Sequence, residues 1–154
     1  MDPTANKMSF EEYLDAYGEL TYANQGVSML PLIKQGRDMV ILKKKDKNTR
    51  CKKYDVAMYV GPEHKYILHR IIKVKDDGYD FLGDNLLVKE PDVKEDQVIA
   101  VMTEFVHKGK RHSVTDKGYL WYVRIWMFLT PVRIFVKKYI WIPIHKLINK
   151  LRGK

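Results

Sequence analysis

"KYILHRIIKVKDDGYDFLGDN", residues 65–85, reads as two β-strands folded back on each other. Both arms are rich in β-branched and aromatic residues, and Asp77-Gly78 is a two-residue type I′ turn signal. With the turn there, Asp76 faces Tyr79, His69 faces Leu86 and Ile71 faces Asp84. His69 and Ile71 share a face, so Asp84 lies diagonally across from His69, about 7–8 Å away. Sliding the turn by one residue sets Asp84 directly opposite His69. Either register brings an imidazole and a carboxylate together, as needed to fix a tautomer and support a positive charge.

Strand-like segments flank this hairpin. "DMVILK", "YDVAMYV" and "QVIAVMTEFV" are short, β-rich and separated by turn signals. "KKKDKNTRCKK" (43–53) reads as a charged hairpin tip or loop and "VGPEH" as a turn. "KEPDVKED" reads as a loop, because Pro91 does not fit a central strand. Residues 9–20, "SFEEYLDAYGEL", read as a short helix opened by a Ser9–Glu12 capping box. The expectation is a mainly β protein: a small antiparallel domain, barrel-like or sandwich-like, with a short N-terminal helix and C-terminal amphipathic helices.

Charge divides the chain into residues 1–116 and 117–154. Asp116 is the last acid, and nine basic residues follow it, while the remaining 19 Lys and Arg balance all 19 Asp and Glu. All three tryptophans lie in the second part. Block asymmetry of this kind points to a tail that meets an anionic surface. The 18 residues Tyr119–Val136 are apolar but contain Arg124, Pro131 and Arg133. Central arginines cost roughly 2.5–3.5 kcal/mol each in a bilayer. The tail is therefore read as helices lying in the membrane interface and divided by Pro131 and Pro143, with a tilted span as the second choice. The lipid contacts are assigned to Trp121, Arg124, Trp126, Arg133, Lys137, Lys138, Trp141, Lys146 and Lys150. The aliphatic and tryptophan content exceeds what phosphate binding needs, so nucleic acid is not an expected partner. Residues 1–20 hold five acids and no apolar run like that of a signal peptide. A single cysteine, Cys51, leaves no intrachain disulfide and no cysteine-built metal site. Its basic neighbours favour a thiolate, yet no histidine lies nearby, and it is read as a loop thiol without a role. No cofactor or metal is expected.

Upstream, "ANQGVSMLPLIKQGRD" (23–38) sets Ser28 on a bend between Gly26 and Pro31. A bend serine is a nucleophile if a base reaches it, and His69 with Asp84 supplies a base and its partner. His64, His107, His112 and His145 have no comparable partner in sequence and are read as surface or loop residues. Lys73 shares the face of His69 and is the alternative base.

"GVSMLP", "YILHRII" and "FLGDN", in this order, resemble the serine, base and Gly-Asp-Asn boxes of the signal peptidase I family, the group that includes the self-cleaving SOS repressors. The resemblance covers about residues 20–107. It implies a signal-peptidase-like β domain with Ser28 as nucleophile and the Ser28 backbone N–H as one oxyanion donor. It further implies a histidine base, His69, as in the endoplasmic-reticulum type, and Asp84 as the acid. Glu90 or Asp92 lies near where the family has a second acid, but "LLVKEP" departs from the usual spacing and neither is assigned. "YDV" (54–56) takes the place of a Gly-Asp-Val, with tyrosine for glycine. Gly26 stands where many bacterial members carry a second oxyanion hydroxyl. The implied function is a membrane-associated serine endopeptidase cleaving signal or leader peptides after small residues. A maturation peptidase for a dedicated cytoplasmic peptide and a catalytically silent, membrane-tethered binding module are the alternatives.

Overall fold

The computed structural model describes residues 8–151. They divide into two compact units, one ending at Val114 and one starting at Thr115. The first is mainly antiparallel sheet. Its elements are α1 (Phe10–Tyr17), β1 (Glu19–Tyr22), β2 (Met39–Lys44), β3 (Val56–Val60), β4 (Tyr66–Lys75), β5 (Gly78–Leu82), β6 (Glu90–Lys94), β7 (Val98–His107) and β8 (Lys110–Ser113). The sheet runs β1-β2-β7-β3-β4-β5-β6, with β8 added to β7.

Helix α1 forms as its cap requires. Glu12 N–H donates to Ser9 Oγ at 3.1 Å and Ser9 N–H to Glu12 Oε2 at 2.8 Å. The helix stops earlier than residue 20, because Gly18 turns left-handed (φ 73°) and its N–H closes on the Leu14 carbonyl. Glu19 and Leu20 then begin β1, a strand the sequence pattern did not reveal. Segment 43–53 is no hairpin tip. β2 and β3 lie on either side of β7, so this segment is a connection between strands that do not touch. Segment 90–94 is a strand despite Pro91, and it can be one because β6 ends the sheet, where a missing N–H goes unnoticed.

The β4–β5 hairpin turns at Asp76-Asp77, and Gly78 is already paired with Lys75. A glycine is needed at 78 for space: a Cβ there would lie 2.2 Å from the Val93 carbonyl oxygen of β6. The turn with two left-handed central residues occurs instead at Lys108 (φ 50°) and Gly109 (φ 78°), joining β7 to β8.

The core on one face of the sheet gathers Ala57 and Tyr59 of β3, Ile71 of β4, Tyr79 and Phe81 of β5, Val93, Val98 and Cys51. Cys51 is buried, and burial pushes its thiol up to about 11, so the basic neighbours do not make it a thiolate. His107 also has a partner after all, the buried carboxylate of Asp38, at 3.3 Å. Asp38 also accepts from Arg37, Lys34 N–H and Lys108 N–H, which ties the start of β2 to the β7–β8 turn. The Arg37 guanidinium holds its carboxyl well below the usual range.

The second unit is helical: α2 (Lys117–Val136), a π-type turn over Lys137–Trp141, and α3 (Ile142–Leu151). Pro131 does not divide it but lies inside α2, and the irregular turn comes six residues later, at 137. Arg133 folds back over the Trp126 ring, 3.9 Å from its centroid. Leu120, Trp121, Ile125, Phe128, Val132, Phe135, Trp141, Ile144 and Leu147 are exposed. Among the described residues, no helix is long and apolar enough to cross a membrane.

Candidate active site

The hairpin register decides what meets His69. Near the turn, Lys75, Val74 and Lys73 pair with Gly78, Tyr79 and Asp80. Continued, that register would put Asp84 opposite His69. Ile72 interrupts it as a bulge, after which Ile71 pairs with Phe81 and Arg70 with Leu82. A one-residue slip exchanges the two faces of a strand. Gly83 is therefore brought opposite His69, and Asp84 comes diagonally next to Arg70 rather than His69. The same bulge takes Lys73 off the face of His69, and Lys73 is exposed.

The expected His69–Asp84 pairing is thus corrected. Asp84 accepts two hydrogen bonds from Arg70, Nε to Oδ1 and Nη2 to Oδ2, both 2.7 Å. Both side chains are completely buried. Arg70 also donates to the Tyr54 carbonyl at 2.9 Å. The carboxylate on the His69 ring is that of Glu90, at the start of β6, with Oε2 2.7 Å from Nδ1. Tyr59 donates to the same oxygen at 2.5 Å. Sequence reasoning assigns neither Glu90 nor Tyr59. The signal for Glu90 is an acid near the family's position, but at unusual spacing in a segment that reads as loop. Nothing in the sequence singles out Tyr59, one of ten tyrosines, in an ordinary strand pattern.

With Nδ1 committed to Glu90, the other ring nitrogen is left to face the Gly83–Leu86 loop. A Cβ on Gly83 would lie 3.0 Å from Nε2 and 2.8 Å from Leu86 Cγ, so the ring and Leu86 occupy the space that glycine leaves. The next residues complete the arrangement. Asp84 is locked to Arg70, and Asn85 grips the serine segment: its N–H donates to the Ser28 carbonyl at 2.7 Å and its Nδ2 to the Val27 carbonyl at 3.1 Å. The three residues of "GDN" thus act differently. Gly83 leaves room for the ring, Asp84 anchors the loop in the interior, and Asn85 holds the backbone at Ser28.

Ser28 is half-buried, on consecutive turns after β1. Gly26 is left-handed (φ 82°), and its N–H donates to Gln35 Oε1 at 2.8 Å, which closes the segment on itself. Fully buried Met29 and Ile33 fasten it to the interior, joined by Ile33 N–H to the Met29 carbonyl at 3.0 Å. The loop that covers Nε2 of His69 is therefore the one that holds the main chain of Ser28. Tyr54, in the place of the family's glycine, has φ 79°, a left-handed conformation that glycine adopts without cost. Among the described residues there is no cluster of three or more His, Cys, Asp or Glu able to hold a metal.

No family model matches the chain. It is 26% identical over 76 residues to signal peptidase I V of Bacillus subtilis (strain 168). The match takes in 49% of this chain and 45% of that relative, so the likeness spans under half the relative's length. It supports a relation to the signal peptidase family.

Proposed function

We propose that this protein is a serine endopeptidase of the signal peptidase type, acting on signal or leader peptides. Ser28 is the nucleophile, His69 the base, and Glu90, rather than Asp84, the acid that orients the base. The supporting observation is the two-sided setting of His69. Nδ1 is held by a carboxylate, and Nε2 faces the loop that carries Ser28's backbone on Asn85. His69 Nε2 takes the Ser28 Oγ proton as Oγ bonds to the scissile carbonyl carbon, and the Ser28 N–H donates to the resulting oxyanion. The imidazolium returns that proton to the departing amine. Water, deprotonated by the same nitrogen, then releases the acyl group. β1, just ahead of Ser28, ends the sheet, and an extended peptide can add to such an edge.

The test is cleavage of a panel of leader peptides, with Ser28→Ala and His69→Ala as variants. Both substitutions should abolish cleavage, and a fluorophosphonate should label Ser28. Full cleavage by both variants would overturn the assignment, and no cleavage with no labelling would favour the silent binding module.

The helical unit associates with anionic membrane surface in this reading. Its exposed Trp121 and Trp141, its many exposed aliphatics and its lack of acids after Asp116 support that role. Basic residues near such a surface contribute about 1 kcal/mol each, and tryptophan suits headgroup depth. The chain should float with phosphatidylserine vesicles and lose much of that recovery when Trp121 and Trp141 are both replaced by serine. Equal recovery of the two proteins would end the membrane assignment.

A further inference from the structure

We propose that Tyr59 is a positioning residue of this site, whose hydroxyl holds the Glu90 carboxylate in the orientation in which it meets His69. The inference rests on the peptidase reading for its importance, but not for its geometry. Glu90 is the weak point of the constellation. Its side chain is 37% exposed, against 7% for His69, and it begins an edge strand. A glutamate has three rotatable bonds, and ordering it costs more than ordering an aspartate. One hydrogen bond to an imidazole competes with water for such a group.

Tyr59 removes that freedom. It is 2% exposed, and its hydroxyl meets Glu90 Oε2, the oxygen that also receives His69 Nδ1. The phenol ring is itself fixed, 4.5 Å from the Phe81 ring centroid to centroid. Phe81 stands opposite Glu90 in the β5–β6 register and opposite Ile71 in the β4–β5 register, so ring, acid and base are set by one continuous stretch of sheet. Burial, then the neighbouring carboxylate, raises the phenol well above its ordinary range, which keeps it a donor wherever histidine titrates.

From β3 the residue opposite His69 is Ala57, and Tyr59 donates to the Glu90 oxygen that meets the ring. From β6 comes Glu90. From the loop after β5 comes Gly83, while Asp84 beside it is occupied by Arg70. The hydrogen bond from Tyr59 holds the Glu90 carboxylate against Nδ1. Removing the hydroxyl frees the carboxylate to turn toward water and weakens its support of the protonated ring.

The test is Tyr59→Phe in the full chain, read two ways. The first is the titration of the His69 ring by NMR in a Ser28→Ala background, with and without Tyr59→Phe. The second is the pH profile of kcat/KM for leader-peptide cleavage with Ser28 intact. The ring titration should move down in Tyr59→Phe, with the acid limb of the profile moving in step. kcat should fall about tenfold with KM little changed. Glu90→Gln should move the ring titration the same way and further. A ring titration unchanged or raised in Tyr59→Phe, in a protein whose thermal unfolding matches the parent, overturns the inference. Because the titration needs no turnover, it decides the role of Tyr59 even if cleavage fails and the peptidase reading falls.

Discussion

His69 and Arg70 are consecutive residues of β4, on opposite faces of the sheet, and each meets a carboxylate. The two pairs differ in kind. Arg70–Asp84 is bidentate and wholly enclosed, whereas His69–Glu90 is a single contact with the acid partly open to water. A buried, bidentate pair has no room for a reactant, so it serves to hold structure. A histidine with one nitrogen anchored and the other facing the loop that holds Ser28 has a ring able to move a proton. Strand periodicity keeps the two pairs apart: one face carries the anchor of the Gly83–Asn85 loop, the other the imidazole that loop faces.

The comparison can be broken by substitution. Asp84→Ala takes from buried Arg70 the carboxylate that accepts both its Nε and Nη2, and should lower stability by about 3–5 kcal/mol, read in urea unfolding. Asp84→Ala with native stability and no activity would return the catalytic acid to Asp84. Glu90→Gln should do the reverse, reducing kcat about 10²–10⁴-fold while unfolding within about 1 kcal/mol of the parent. Gly83→Ala sharpens the link between the faces, since its methyl would press on His69 Nε2 and on Leu86. It should cost about 1–3 kcal/mol and displace the ring, seen as a changed His69 NMR shift. The smallest effect is expected at Tyr54, whose carbonyl accepts from Arg70 while its backbone is left-handed. Tyr54→Gly should stabilise by about 1 kcal/mol in thermal unfolding, because relieving the strain outweighs the added freedom of the unfolded chain.

Much of the sheet was legible because its signals are local. Alternation and β-branching marked β2, β3, β4, β5 and β7, and Ser9 with Glu12 marked the start of α1. β1 and β8 were missed: each has four residues, too few for a period to show. β6 was hidden by a proline whose tolerance depends on which strand lies at the edge. Of the candidate site, the Ser28 bend and the His69 strand were legible, and the carboxylate beside the imidazole was not. Tracing partners across the hairpin required a regular ladder, and Ile72 breaks it.

The sequence by itself determined the strand-forming segments, the capped helix, the acid-free tail and the order of the serine, histidine and Gly-Asp-Asn boxes. These depend on residues within a turn or two of each other. Only the tertiary structure decided that Asp84 belongs to Arg70 and that Glu90, 21 residues beyond His69, belongs to the imidazole. A single bulged residue changes which face every later side chain joins, and its cost is settled by packing over the whole sheet, which no local pattern records.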